Sequence, residues 1–82
     1  MNIALPPHAQ ARLAERGATE DEVRATVKDG ERFPAKFGRA GFRRNFTYNG
    51  LWRGKPYATK QVEAIAVPQD GWLVITVLVR FF

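Results

Sequence analysis

The chain has 82 residues and no cysteine, with 45% hydrophobic residues and a formal net charge of +5 at pH 7. This length accommodates one domain, residues 1–82, and the hydrophobic content is that of a globular protein. The lack of cysteine excludes disulfides and thiolate metal sites. No stretch is apolar over the roughly 18 residues that a transmembrane helix needs, and the opening MNIALPPHAQ lacks the basic region of a signal peptide. We therefore expect a cytoplasmic protein without membrane contact.

The positive charge is concentrated in the middle third of the sequence. Residues 31–60 carry eight basic residues against one acidic residue, a net charge of +7. Residues 1–30 (four basic, five acidic) and 61–82 (one basic, two acidic) each have a net charge of −1. A charge excess of this kind bears on the partners of a protein rather than on its fold, and it favours polyanions.

Two short helices are predicted in the first thirty residues. The segment 7–16 is rich in alanine, leucine, arginine and glutamate, and Gly17 is a suitable left-handed residue to end it. A T-x-x-E capping box, formed by Thr19 and Glu22, predicts the start of a second helix that ends at residue 28 or 29, before Gly30. The apolar stripe of the second helix is short, so this helix needs a sheet to pack against.

The remainder of the chain predicts strands. Alternation of apolar and polar residues and a high content of β-branched residues predict strands over residues 42–48, 57–67 and 72–82. Residues 31–41 predict a short extended segment and a loop. The fold class expected is therefore α+β, with two N-terminal helices packed on a twisted antiparallel sheet of three to four strands.

Two dipeptides are typical of tight turns between these strands. Asn49-Gly50 predicts the end of the first strand, with residues 51–56 as a loop, and Asp70-Gly71 predicts the hairpin before the last strand. Trp52 would then stand in a loop, and we expect it to be the most exposed of the aromatic residues.

One face of the first predicted helix carries residues with useful chemistry. His8, Arg12 and Glu15 or Arg16 follow one another at helical spacing, and His8 is the only histidine. An imidazole that moves a proton beside a guanidinium that holds a phosphate suits acid–base chemistry on phosphate esters. The plainer interpretation is that His8 is an exposed first-turn residue and that the arginines pair with nearby acids.

The middle segment interleaves positive charge with aromatic rings. Nucleic-acid surfaces combine Arg and Lys, which neutralise phosphates, with aromatics that stack on unpaired bases. The alternative is that several of these rings face the core and that the charge serves solubility. The basic residues concerned are Arg39, Arg43, Arg44, Arg53, Lys55 and Lys60, and the aromatics are Phe42, Phe46, Tyr48, Trp52 and Tyr57.

Other chemistries lack their residues. There is no serine, no phosphate-binding glycine motif and only one histidine, so we expect no serine nucleophile, no metal site and no cofactor. Thr76 stands within an apolar run, where its hydroxyl either serves a site on the sheet or belongs to an ordinary strand residue.

The run PPHAQARLAERGATEDEV, together with the closing Asp-Gly turn and Ile-Thr-Val, resembles a family of small, uncharacterised bacterial domains. These domains are related to the RelE-like and barnase-like ribonuclease toxins, whose fold places two helices on a twisted antiparallel sheet. The resemblance implies metal-independent RNA cleavage, in which His8, Arg12 and Arg16 match helix residues of the family and Thr76 matches a polar residue of its last strand.

The resemblance and the charge pattern together define the candidate residues. Catalysis is assigned to His8, Arg12, Arg43, Lys60 and Thr76. Nucleic-acid binding is assigned to Arg16, Arg39, Arg44, Trp52, Arg53, Lys55 and Tyr57. RNA and a small acidic antitoxin-like protein are the expected partners. The alternative hypothesis is a non-catalytic module that binds a nucleic acid or an acidic protein, and the residues alone leave both hypotheses open.

Overall fold

The computed structural model describes residues 2–82 and consists of two helices on one face of a five-stranded sheet. The predicted α+β class and both predicted helices are confirmed. In chain order the elements are β1 (Ile3–Ala4), α1 (Pro7–Arg16), α2 (Glu20–Asp29), β2 (Glu31–Pro34), a 3₁₀ turn (Lys36–Gly38), β3 (Ala40–Trp52), β4 (Lys55–Pro68) and β5 (Trp72–Phe81).

The sheet has the order β1-β5-β4-β3-β2 and is mixed rather than antiparallel. Strands β2 to β5 pair antiparallel, whereas β1 runs parallel to β5 through Ile3↔Trp72 and Ala4↔Leu73. The predicted count of three to four strands was therefore wrong. A two-residue strand has no periodicity that a sequence can display, and β1 exists only because β5 offers it an edge.

The predicted turn at Asn49-Gly50 was also wrong. Strand β3 continues to Trp52, and the tight turn lies at Arg53 and Gly54, whose φ angles of 50° and 83° are typical of a type I′ hairpin. Asn49, with φ of 46°, lies instead at an irregularity in the pairing of β3 with β4. Asn49-Gly50 and Arg53-Gly54 both end in glycine, and only the pairing of β3 with β4 decides which of the two forms the turn.

The predicted helix ends agree with the structure. Gly17 has φ of 80°. Its N–H donates to the Ala14 carbonyl, and the Ala18 N–H donates to the Leu13 carbonyl, both in the last turn of α1. In α2 the Thr19 hydroxyl accepts from the Glu22 N–H at 3.1 Å, and the Glu22 carboxylate accepts from the Thr19 N–H at 2.9 Å. Within residues 2–82, no helix is long enough and apolar enough to cross a membrane.

The core lies between the helices and one face of the sheet. Strand β4 contributes every second residue to it, because alternate side chains of a strand point to opposite faces. On the opposite face, cross-strand pairs include Arg43 with Glu63 and Asn45 with Gln61. The most deeply buried core residues are Val23, Val27, Val62, Ala64, Ala66 and Val74.

Lys60 stands in the same buried row of β4 and is only 7% exposed. Its ammonium donates to the Gly17 carbonyl at 2.8 Å and to Glu22 Oε1 at 2.9 Å, and it lies over the rings of Tyr48 and Phe81. A buried charge needs such partners because it has lost its hydration. Lys60 therefore fastens both the end of α1 and the capping box of α2 to the sheet.

Replacement of Lys60 by alanine should destabilise the fold by about 3 kcal/mol, since it leaves the Glu22 carboxylate and the Gly17 carbonyl without their cation. Urea unfolding followed by circular dichroism measures this loss. Lys55→Ala, on the exposed end of the same strand, is the matched control and should change the free energy of unfolding by less than about 0.5 kcal/mol. Equal effects of the two changes would contradict the role given to Lys60.

Candidate functional site: a cationic groove beside strand β5

Helix α1 and strand β5 enclose a groove of about 320 Å³. His8, Arg12 and Arg16 line it from the helix, and Thr76 lines it from the strand. The spacing of four residues places the three helix side chains in one row, about 6 Å apart along the helix axis. We call this groove, together with its continuation past Arg16 to Trp52 and Arg53, the α1/β5 groove. Of the five predicted catalytic residues, His8 and Arg12 line it from the helix, whereas the pairing of Thr76 with Ile65 places the Thr76 side chain on the face of the sheet away from the helices.

The groove exists because β5 is paired on its outer edge over only part of its length. Strand β1 pairs with Trp72 and Leu73, and beyond them no strand of residues 2–82 covers this edge. Val74 pairs with Ala66 and Thr76 with Ile65, so Ile75 is an extra residue in β5. Such a bulge bends a strand and re-aims its side chains, and here Ile75 and Thr76 both line the groove.

Arg16 closes part of the open edge of β5. Its half-buried guanidinium donates to the Val77 carbonyl, which points away from β4. Unpaired strand edges attract other chains, and a cation placed on the edge is one way in which proteins prevent this. Because the carbonyl is neutral, the full positive charge of Arg16 remains available to an anion in the groove.

The α1/β5 groove continues beyond Arg16 towards the β3–β4 hairpin, with a second part of about 300 Å³. Trp52 stacks on Phe81 there, with ring centroids 4.9 Å apart and planes inclined by 14°. Arg53 donates to the Glu15 carbonyl at 2.9 Å, and its guanidinium lies 5.2 Å from the Trp52 ring. Trp52 is therefore a half-buried strand residue, and the expectation of a highly exposed loop tryptophan was wrong.

The other two predicted catalytic residues lie elsewhere. Arg43 is on the opposite face of the sheet, where it pairs with Glu63 at 3.1 Å and with Glu31 at 3.9 Å. Lys60 is buried beneath α2 with Glu22. Arg43 is paired across the strands with Glu63, which stands three residues from Lys60 in β4 and therefore points to the opposite face. The two cations are thus separated from each other, and neither lines the groove.

The residues predicted to bind nucleic acid fall into several places. Arg16, Trp52 and Arg53 line the α1/β5 groove. Lys55 and Tyr57 follow the hairpin turn on β4, and Arg44 pairs with Asp29 of α2 at 3.8 Å. Arg39 precedes β3 and lies at the far end of that strand from Trp52. The middle segment thus does not form one continuous cationic surface.

Sequence reasoning missed the open edge of β5 and the contact between Arg16 and Val77. The only local signal for them is the apolar run of β5 itself, which reads equally well as a central strand. The edge is open because β1 is so short, and that follows from contacts between the two ends of the chain.

The fold and the groove define a class: a small α+β domain with a cationic cleft between a helix and a partly unpaired edge strand. Comparison with models of protein families, with curated protein sequences and with solved structures finds no match to this chain. The resemblance to RelE-like and barnase-like toxins therefore stays a prediction. Among residues 2–82 there is also no cluster of three or more histidines and carboxylates that would hold a metal ion.

His8 and Arg12 should be replaceable without loss of fold. Both are exposed, and within residues 2–82 neither side chain makes a hydrogen bond or an ion pair. We expect His8→Ala and Arg12→Ala to change the free energy of unfolding by less than about 0.5 kcal/mol. Arg16→Ala should cost about 1–2 kcal/mol, because the Val77 carbonyl loses a charged donor. Thermal unfolding of the three variants distinguishes these effects, and a large loss for Arg12→Ala would show that the residue has a structural role.

Proposed function

We propose that this chain is an RNA-binding domain and that it binds a single strand along the α1/β5 groove. The observation that carries the proposal is the arrangement of its cations. Arg12, Arg16 and Arg53 line the groove and form no ion pair with a carboxylate of residues 2–82, although Glu15 also lines its second part. The basic residues Arg43, Arg44 and Lys60, in contrast, are each paired with an acid. A row of unneutralised arginines is the feature that phosphate backbones require.

The dimensions of the groove favour a single strand over a duplex. Helix α1 has ten residues and is about 15 Å long, which matches a few nucleotides rather than the two successive grooves that a double-stranded RNA domain spans. Trp52 and Phe81 line one end of the groove, where they are half-buried and stacked on each other. Outward-facing backbone groups of β5 supply further hydrogen-bond donors and acceptors.

The proposal predicts that binding depends on salt and on groove arginines. The double change Arg12→Ala and Arg53→Ala removes two phosphate contacts, and each contact on a single strand contributes about 0.7 to the slope of log K against log salt. Taking this contribution as zero at 1 M salt, the affinity at 0.1 M salt should therefore fall about 25-fold. Fluorescence anisotropy with a labelled single-stranded oligonucleotide, titrated at several salt concentrations, measures both quantities.

The matched control is Lys28→Ala with Arg80→Ala, which removes the same charge at exposed positions outside the groove. It should leave the affinity within about twofold of the unchanged protein. If both double variants weaken binding equally, the interaction reflects net charge and not the groove. An acidic protein partner would be attracted by the same arginines, and it would compete with RNA for them.

A second candidate function is metal-independent RNA cleavage, favoured by the presence of His8 and Arg12 in one groove. In such cleavage the 2′-oxygen attacks phosphorus, the bond to the 5′-oxygen breaks, and a 2′,3′-cyclic phosphate is formed. The 2′-hydroxyl loses a proton and the leaving oxygen gains one. The imidazole of His8 is suited to carry a proton, and the guanidinium of Arg12 to stabilise the charge on the phosphate.

Cleavage is tested by incubating RNA with the purified protein in the presence of a chelator and by analysing the products for cyclic phosphate ends. His8→Ala should abolish cleavage while binding persists, and it should relieve any growth arrest caused by expression. Uncut RNA together with harmless expression would rule out the ribonuclease candidate and leave the binding function in place.

A further inference from the structure

The turn between β2 and β3 holds a phenylalanine in an unfavourable position. Phe37 is 86% exposed and has φ of 62° and ψ of 33°, the left-handed conformation. Residues with a Cβ adopt this region at a cost, which glycine and asparagine avoid or reduce. We refer to Lys36–Gly38 as the Phe37 turn.

The fold gains nothing from this side chain. The ring is not part of the core, and it lies against the guanidinium of Arg39, 5.4 Å from the ring centroid. The turn is held by its backbone, since Ala35 N–H donates to the Arg39 carbonyl at 3.0 Å and Arg39 N–H donates to the Lys36 carbonyl at 3.3 Å. Neither burial nor local conformation accounts for a phenylalanine here, which indicates a contact outside the fold.

The surroundings of the turn indicate the chemistry of that contact. Residues 32–40 contain three basic residues and no acid. Beside the turn lies a groove of about 440 Å³ lined by Arg32, Arg39 and Trp72, in which the Arg32 guanidinium lies 5.0 Å from the Trp72 ring centroid. An exposed ring among cations suits a ligand that is both planar and negatively charged.

We propose that the Phe37 turn is a second RNA contact, separate from the α1/β5 groove, at which Phe37 stacks on an unpaired base while Lys36 and Arg39 contact phosphate. This inference rests on the proposed RNA-binding function. It goes beyond that function because it assigns base stacking to a site that no helix contributes to and that lies at the other end of β3 from Trp52.

A base fits the turn better than a protein surface does. Hot spots at protein interfaces stand within a rim of near-neutral contacts that exclude water, whereas Phe37 is flanked by Lys36, Gly38 and Arg39. Stacking of a base needs only the free face of one ring, and neighbouring cations reinforce it through the attached phosphates.

The test compares two labelled probes of equal length and charge, an oligouridylate and an abasic oligonucleotide. Phe37→Gly should weaken binding of the oligouridylate about tenfold, which is within the range for loss of one stacked base. It should leave binding of the abasic probe unchanged. Because glycine accepts the left-handed conformation, the thermal midpoint of this variant should equal or exceed that of the unchanged protein.

Two further variants complete the design. Lys36→Ala should weaken both probes, since it removes a phosphate contact. Leu51→Ala removes another strongly exposed apolar side chain, 68% exposed at the opposite end of β3, and should weaken neither.

The inference is overturned if Phe37→Gly binds both probes like the unchanged protein while the groove variants still weaken binding. It is equally overturned if the abasic probe is affected as much as the oligouridylate. It also fails if the change weakens only an acidic peptide, which would make Phe37 a protein anchor. If the unchanged protein binds neither probe, the proposed RNA-binding function itself has failed.

Discussion

The buried ammonium of Lys60 holds the architecture together. It bonds to the carbonyl of Gly17, where α1 ends, and to the carboxylate of Glu22, which also caps α2. One charge thus fixes the connection between the two helices above the centre of the sheet. With its end held there, α1 lies beside β5 and leaves the α1/β5 groove along the strand edge. Burying a lysine is costly, and the two polar and two aromatic partners around its ammonium offset that cost.

The cations of the molecule fall into two groups: those paired with a carboxylate, as Lys60 is, and those that contact backbone carbonyls or solvent. Strand alternation carries Arg43 to one face of the sheet and Arg44 and Lys60 to the other, and on both faces carboxylates meet them. These cations serve the fold. The arginines of α1 and of the β3–β4 hairpin contact backbone carbonyls or solvent, so their charge is not neutralised by an ion pair within residues 2–82. The distinction between neutralised and free cations, rather than the total charge, determines which surface can hold a polyanion.

Two features of the molecule are not explained by its own packing: the open edge of β5 beside the groove, and the exposed ring of Phe37 in a left-handed turn. A sequence selected for stability alone would cover the first and replace the second by glycine. They lie on different parts of the sheet, and both are accompanied by arginines that form no ion pair within residues 2–82. The ligand we propose, a flexible polyanion with planar bases, would satisfy the chemistry of both.

The sequence by itself determined the two helices and the α+β class, because the signals for them act over a few residues: the capping box of Thr19 and Glu22, and the left-handed Gly17. It also placed His8, Arg12 and Arg16 on one face of α1, since helical spacing is a local property. Tertiary structure alone decided that β1 pairs with β5 and that β3 turns at Arg53 rather than at Asn49. It also decided that Lys60 is buried while Arg12 is exposed. These outcomes depend on which distant segments meet, and the energies that choose among such pairings come from contacts that no short stretch of sequence contains.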